Sequence, residues 1–165
     1  MFVQADATQD VTGVVVFELA GSCCGLPVEA VCRVMKASDV LPLPGAPPLV
    51  EGALDFSGNL VPVVDLGPRL RLSQTPPART DNFVLASAGT RLLALRVGRV
   101  VRLLYLPERE LREATGLAAG AVAVKTVERL GEGLVLIRDL AALLEPSELA
   151  AIDRALGEAA TAKPS

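Results

Sequence analysis

The chain has 165 residues, a formal net charge of −3 and a hydrophobic share of 51%, with a mean hydropathy of +0.45. This length suffices for one domain with a substantial core. Aromatic residues make up only 3% of the chain and basic residues are not in excess. This composition argues against nucleic-acid binding, which uses a basic face or stacking aromatics. The chain has no histidine, so the commonest general base and the commonest metal ligand are missing.

Compartment and redox chemistry follow from what the sequence lacks. No apolar run reaches the roughly 18 residues that a membrane span needs. The first ten residues, MFVQADATQD, lack the basic and apolar regions of a signal peptide. We therefore expect a cytoplasmic protein. Cys23, Cys24 and Cys32 form no Cys-x-x-Cys motif, so we expect small apolar strand residues and no zinc or disulfide framework.

The first 50 residues predict a tail followed by strands. Residues 1–13 are polar and without pattern, and we interpret them as a flexible tail. Runs rich in β-branched or alternating residues predict strands over residues 14–19, 24–28 and 31–35. Residues 41–48 contain four prolines and predict a stiff, extended connection with few backbone donors.

Residues 51–70 contain the strongest local signal in the chain, a β-hairpin. The turn is Ser57-Gly58-Asn59, because Gly and Asn accept positive φ at little cost. Pro62 has no N–H to donate, so we expect its strand to be an edge strand or locally unpaired. An exposed strand edge is a surface on which another protein can pair or pack.

The second half repeats this strand-rich pattern. The polar, proline-rich residues 73–80 predict a joint between subdomains. We expect strands over residues 83–87, 92–97, 100–105, 122–130 and 134–137, and a loop with a helical turn over residues 107–120. Pro146-Ser147 predicts a final helix with Ser147 as its N-cap, and residues from Gly157 onward predict a frayed tail.

The hairpin exit recurs in the second half. Residues 60–66, LVPVVDL, align with residues 134–140, LVLIRDL. Two small β units that cannot each bury a full core are expected to share one by packing together. The sequence therefore predicts two five-stranded barrels with a groove between them.

Asp65 and Asp139 occupy equivalent places in this repeat, each directly after an apolar strand. Paired carboxylates can act in an aspartic protease by sharing a proton. That motif needs a hydroxyl residue after the aspartate, and here Leu66 and Leu140 follow. We therefore interpret both aspartates as caps for backbone N–H groups of the following turn.

Three stretches carry a family resemblance. They are Pro44-Gly45-Ala46-Pro47-Pro48-Leu49-Val50-Glu51-Gly52, Asp55-Phe56-Ser57-Gly58 and Val61-Pro62-Val63-Val64-Asp65-Leu66. In order and spacing this resembles the signature of CheW-like domains, the adaptor modules of bacterial chemosensory arrays, over about residues 14–144.

The resemblance implies a mainly β fold. It consists of two packed five-stranded SH3-like β-barrels with short connecting helices and a C-terminal helix. The implied division is a tail over residues 1–13, a CheW-like domain over residues 14–145 and a C-terminal helix and tail over residues 146–165. Within the domain, the barrels would cover approximately residues 14–72 and 80–145.

The resemblance also implies the partners. CheW-like adaptors bind the hairpin tip of a chemoreceptor, the regulatory domain of the CheA-type histidine kinase and other CheW-like domains, in the cytoplasm at receptor arrays. It implies no catalysis, cofactor, metal, nucleic acid or membrane insertion. The implied partner-binding residues are Val31, Arg33, Gly52, Phe56, Ser57 and Gly58. For the two glycines a purely conformational role is an open alternative, and for Val31, Arg33 and Ser57 ordinary surface or strand packing is another.

Three positions depart from the family pattern. The family's Asn-Leu-Arg-Gly has no arginine counterpart at Ser57, its Val-x-Glu-Val has Arg33 at the acidic position, and its Val-Asp-x-Val has Gly98. Such charges decide partner choice more than folding. One hypothesis is an accessory adaptor that keeps the receptor and has weakened or lost kinase docking. The other is that both partners are retained through co-varied surfaces.

Two other functional classes are less favoured alternatives. A generic SH3-like barrel that binds peptide or nucleic acid fits the fold, but the acidic net charge and few aromatics oppose it. An enzyme comes third, because no catalytic motif supports it.

Overall fold

The structure is a computed structural model that describes residues 11–72 and 81–162. Most of these residues belong to β-strands, and the strands form two sheets. In the described ranges the strands are β1 (Val11–Leu19), β2 (Ser22–Pro27), β3 (Val31–Lys36), β4 (Val50–Phe56), β5 (Asn59–Val64), β6 (Asn82–Ala88), β7 (Arg91–Val97), β8 (Val100–Pro107), β9 (Thr115–Ala118), β10 (Ala121–Val127) and β11 (Glu132–Ile137). The helices described are α1 (Glu108–Arg112) and α2 (Pro146–Ala162), with single 3₁₀ turns at Val28–Ala30, Pro68–Leu70 and Ala141–Leu143.

The two sheets exchange hairpins. The five-stranded sheet has the order β3-β6-β7-β5-β4, and the six-stranded sheet has the order β8-β1-β2-β11-β10-β9. The hairpin β1-β2 therefore lies among strands of the second half, and β6-β7 lies among strands of the first half. The two predicted barrels at residues 14–72 and 80–145 do not coincide with these sheets, because each sheet takes strands from both ranges.

Each exchanged hairpin is joined to its sheet by one short parallel strand pair. Val63 and Val64 of β5 pair with β7, and Val135 and Leu136 of β11 pair with β2. Each repeat thus donates one hairpin to its counterpart and receives one in return. Interleaved strands of this kind make the two units one cooperative body, since neither sheet is complete without the other half of the chain.

Apolar side chains fill both faces of each sheet. A shared core takes residues from both sheets, among them Phe17, Leu26, Val84 and Ile137, all of which are buried. Two further cores belong to one sheet each. In the five-stranded sheet that core touches both edge strands, because Leu54 of β4 belongs to it and Met35 of β3 packs against it. The sheet is therefore curled so that its two edges approach each other.

The C-terminal helix α2 covers one end of the shared core. Ile152 is fully buried there, and Ala155 lies in a small core with Leu43 and Ala53. The helix does not begin at Ser147 as predicted. Pro146 is its first residue, and the carboxylate of Glu148 accepts a hydrogen bond from the N–H of Glu145 at 2.8 Å, as in a capping box. It also continues past Gly157 to Ala162, so the predicted frayed tail was wrong up to that residue.

Three local predictions need correction. Strand β1 begins at Val11, so the predicted tail ends earlier; residues 1–10 and the polar loop at 73–80 lie outside the described residues. The stretch predicted as a loop with a helical turn contains that turn as α1, but it also contains a short strand, β9, which gives its sheet a sixth strand. Strand β5 is not an edge strand, since it lies between β7 and β4. The other predicted alternative, a local lack of pairing at Pro62, is confirmed on this side, because the pairing with β7 starts one residue later, at Val63.

Candidate protein-interaction surface

The predicted partner-binding residues fall into two places. Arg33, Phe56, Ser57 and Gly58 gather where the edge strands β3 and β4 approach each other. Val31 lies on the opposite face of β3 from Arg33. Its cross-strand partner is Ala86 of the shared core, whereas Arg33 is paired with Leu85 of the inner core of the five-stranded sheet.

Arg33 and Phe56 form a cation–π pair across the gap between the edge strands. The central carbon of the guanidinium lies 5.5 Å from the centroid of the Phe56 ring. At this distance a cation is attracted by the ring face. Because the ring also packs on the inner core of the five-stranded sheet, it holds the Arg33 guanidinium in place at the protein surface.

The turn after Phe56 lies where it was predicted, but Ser57 and Gly58 form it, and Asn59, which was expected to take a positive φ, begins β5. Ser57 and Gly58 both have positive φ, 53° and 87°, as a two-residue hairpin turn with the preferred twist requires. The N–H of Gly58 donates to Asp55 Oδ1 at 3.0 Å. Both turn residues are exposed, so a partner can reach them.

Gly52 presents no surface to a partner, because it is buried. A Cβ at this position would overlap the carbonyl oxygen of Leu41. The close approach lets Leu41 exchange two backbone hydrogen bonds of 2.8 Å with Ala53, which covers part of the outer edge of β4. The structure thus gives Gly52 a packing role.

The two repeat-related aspartates sit at the exits of β5 and β11. Asp65 Oδ1 accepts a hydrogen bond from the N–H of Gly67 at 2.9 Å, and Asp139 Oδ1 accepts one from the N–H of Ala142 at 3.3 Å. Each carboxylate therefore fixes the 3₁₀ turn that follows its strand.

Strand β8 contributes exposed residues at the seam between the two units, where the sequence predicted a groove without naming these residues. Val101, Leu103 and Tyr105 follow at every second position and are exposed, with Leu103 at 49% and Tyr105 at 55%. Leu103 is paired with Val15, which in turn is paired with Leu26 of the shared core. The stripe is therefore the outer continuation of the face along which the two sheets pack.

Strand β3 supplies the opposite wall. Val34 is exposed and is paired with Val84 of the shared core, so it faces the same seam. The side chains of Val28, just before β3, and Tyr105 both lie over Gly13. A Cβ on Gly13 would be 3.1 Å from Val28 Cγ1 and 3.3 Å from Tyr105 Cε1. We call this surface the apolar groove; its residues are Val28, Val31, Val34, Val101, Leu103 and Tyr105.

The far end of the apolar groove is polar. Lys36 is paired with Asn82, whose side chain donates to the carbonyl of Gly98 at 2.8 Å. Arg99 beyond it forms an exposed ion pair with Glu18 at 3.2 Å. The end of β3 therefore lies near the start of β8, so the two strands run in opposite directions along the groove. Gly98, one of the positions that depart from the family pattern, donates its N–H to the carbonyl of Glu18.

The adjacent Cys23 and Cys24 have little nucleophilic character. Burial raises the pKa of the Cys24 thiol to about 12, and burial together with the nearby Glu132 carboxylate raises the pKa of Cys23. Thiols with raised pKa values are protonated at neutral pH and react slowly. In residues 11–72 and 81–162, no three His, Cys, Asp or Glu side chains come together as a metal site would require.

Two interleaved β-sheets with an exposed apolar groove at their seam define a protein-interaction module. No helix in the described part of the chain is long and apolar enough to cross a membrane. The CheW-like domain model matches residues 13–148, which is most of the chain, so the chain belongs to the CheW-like family of bacterial chemotaxis scaffolds.

Individual relatives agree. The chain is 25% identical over 143 residues to a chemotaxis protein CheW of Treponema pallidum, covering 82% of this chain and 83% of the relative. It is 24% identical over 142 residues to that of Klebsiella aerogenes, with 84% of each chain covered. The crystal structure of the scaffolding protein TtCheW from Thermoanaerobacter tengcongensis has the same fold, with a TM-score of 0.69 at 21% identity, over 83% of this chain and 90% of that one.

Proposed function

We propose that this chain couples a chemoreceptor to a CheA-type histidine kinase as a non-catalytic scaffold of a cytoplasmic chemosensory array, with one helix of the receptor hairpin tip seated in the apolar groove. Family membership supports the scaffold role. The observation that carries the helix-binding step is the exposed row Val101, Leu103 and Tyr105 on β8.

The dimensions of this row suit a helix. Residues i, i+2 and i+4 of a strand span about 13 Å. Apolar residues at i, i+4 and i+8 of a helix span about 12 Å along its axis. The opposite wall supplies Val28, Val31 and Val34, so an amphipathic helix would bury its apolar side against both walls. Exposed apolar surface continuous with a core is typical of an interaction site.

The kinase contact is proposed to be the weaker of the two. The motive is the combined departure from the family pattern at Arg33, Ser57 and Gly98, which replaces charges that would meet a partner. Arg33 is exposed, and Ser57 lies at the exposed tip of the hairpin. A charge of the wrong sign at such positions costs a partner several kcal/mol.

The direct test uses two purified protein fragments that are encoded in the same genome as this chain. One is the hairpin tip of its chemoreceptor, and the other is the regulatory domain of its CheA-type kinase. Dissociation constants are measured for each by isothermal titration calorimetry. We expect the receptor fragment to bind and the kinase domain to bind more weakly. Failure to bind the receptor fragment contradicts the proposed function, and tight kinase binding ends the one-partner hypothesis.

A further inference from the structure

Arg33 differs from the other arginines that the structure fixes in place. Arg69, Arg91 and Arg96 each form an ion pair with a carboxylate, and Arg102 donates to a backbone carbonyl. Arg33 is also held, by the ring of Phe56 at 5.5 Å, yet no described residue accepts a hydrogen bond from it. A guanidinium held in this way, with no acceptor among the described residues, has N–H donors free for a binding partner.

We propose that Arg33 binds a carboxylate of the protein that occupies the apolar groove. The inference rests on the proposed function and adds the chemistry of the partner: an apolar stripe accompanied by an acidic side chain.

The choice of a carboxylate follows from the geometry of the Arg33–Phe56 pair. An arginine lying over an aromatic face leaves the N–H donors at the edge of its plane free, and these match the two oxygens of a carboxylate. Stacking also reduces the rotamer entropy that the side chain loses on binding. The adjoining charges favour an anion, because β3 contains Arg33 and Lys36, both exposed, and no acidic residue.

The location ties Arg33 to the groove. Val31 and Val34 of the same strand line the groove, and Arg33 lies between them on the other face. Strand β3 is an edge strand, so side chains on both of its faces reach solvent. A two-helix hairpin is wider than a single helix by the 8–10 Å that separates packed helix axes. When one helix fills the groove, the remainder of the hairpin extends over β3 toward Arg33.

The experiment measures the affinity of the receptor hairpin-tip fragment for the wild type and for Arg33→Gln, Arg33→Lys and Arg33→Glu. We expect Arg33→Gln to weaken binding about tenfold, the loss typical of a hydrogen bond between charged groups. Arg33→Lys is expected to lose less and Arg33→Glu more. Thermal unfolding of each variant shows that the fold is retained. Affinities of Arg33→Gln and the wild type within twofold of each other would overturn the proposal.

Two further measurements identify the carboxylate. Wild-type binding should weaken as salt rises from 50 to 500 mM, and Arg33→Gln should be less sensitive; equal salt dependence contradicts the proposal. Each exposed Glu or Asp of the receptor fragment is then changed to Lys. One of these changes should restore binding to Arg33→Glu, and restoration by none contradicts the assignment.

The outcomes separate this inference from the proposed function. If Leu103→Asp abolishes binding while Arg33→Gln does not, the groove is correct and the carboxylate contact is wrong. A loss confined to the kinase regulatory domain assigns Arg33 to a different partner and overturns the inference. If the wild type does not bind the receptor fragment, both proposals fall.

Discussion

The guanidinium of Arg69 donates two hydrogen bonds to the carboxylate of Glu148, at 2.9 and 2.7 Å, and a third to the carbonyl of Leu143 at 2.7 Å. Arg69 lies in the 3₁₀ turn after β5, whereas Leu143 and Glu148 lie in the corresponding turn after β11 and in α2. A single side chain thus connects the exits of the two repeats to the C-terminal helix.

Replacing this arginine should loosen the helix. Arg69→Ala leaves the half-buried Glu148 carboxylate and the Leu143 carbonyl without their donor, and we expect the free energy of unfolding to fall by about 1–2 kcal/mol. Arg154→Ala is the matched control, because Arg154 is an exposed arginine on α2. Urea unfolding followed by circular dichroism measures both. Equal losses in the two variants would show that the Arg69 contacts contribute nothing specific.

The same pair predicts how stability depends on pH. The hydrogen bonds from Arg69 lower the pKa of Glu148 below its usual 4.5 in the folded state. The unfolded chain therefore binds the proton first as pH falls, and stability decreases with acidification below about pH 4.5. Glu148→Gln should reduce the slope of unfolding free energy against pH in that range. An unchanged slope contradicts the assignment.

Gly52 and Gly157 predict opposite responses to the same substitution. Gly52→Ala places a Cβ against the Leu41 carbonyl oxygen, and we expect a loss of about 1–3 kcal/mol. Gly157 lies within α2, with nothing beyond its chain neighbours and the backbone of its own helix within 4 Å of its Cβ position. There Gly157→Ala should gain about 0.5–1 kcal/mol through the lower entropy of the unfolded chain. Thermal unfolding of both variants checks the signs, and a neutral Gly52→Ala would contradict the packing role.

Asp65 is expected to act through its oxygen and not through its charge. Asp65→Ala removes the acceptor for the Gly67 N–H and should cost about 1 kcal/mol, whereas Asp65→Asn keeps an acceptor and should cost less. The comparison is made by urea unfolding. If both variants lose the same stability, the carboxylate charge matters and the capping interpretation is wrong.

Local signals in the sequence predicted the repeat, the hairpin turn and most strands correctly. Ser57-Gly58 forms the turn because its chemistry is local, and the recurrence of Asp65 and Asp139 marks the equivalent exits. The exchange of hairpins could not be read from these patterns. Which strand pairs with β1 is decided by tertiary packing, and the alternation along β1 is the same in either sheet.

The sequence predicted a groove between the two β units, but it did not identify β8 as one of its walls, for a related reason. The run from Val100 to Leu106 is apolar on both faces of the strand, a pattern typical of a strand buried between two layers. In the folded chain only one face of β8, with Leu104 and Leu106, is buried, and the face with Leu103 and Tyr105 is exposed. Burial of the other face would require a second molecule, and a single sequence does not contain it.

Two leucines of almost equal exposure provide the most direct test of the groove. Leu103 in the groove is 49% exposed, and Leu41 in the connection before β4 is 48% exposed. Binding of the receptor hairpin-tip fragment is measured by calorimetry for the wild type, Leu103→Asp and Leu41→Asp, after thermal unfolding has confirmed that each is folded. We predict that Leu103→Asp weakens binding about a hundredfold or more, because it buries a charge against an apolar helix, and that Leu41→Asp changes it by less than about twofold. Undiminished binding by Leu103→Asp would contradict the account.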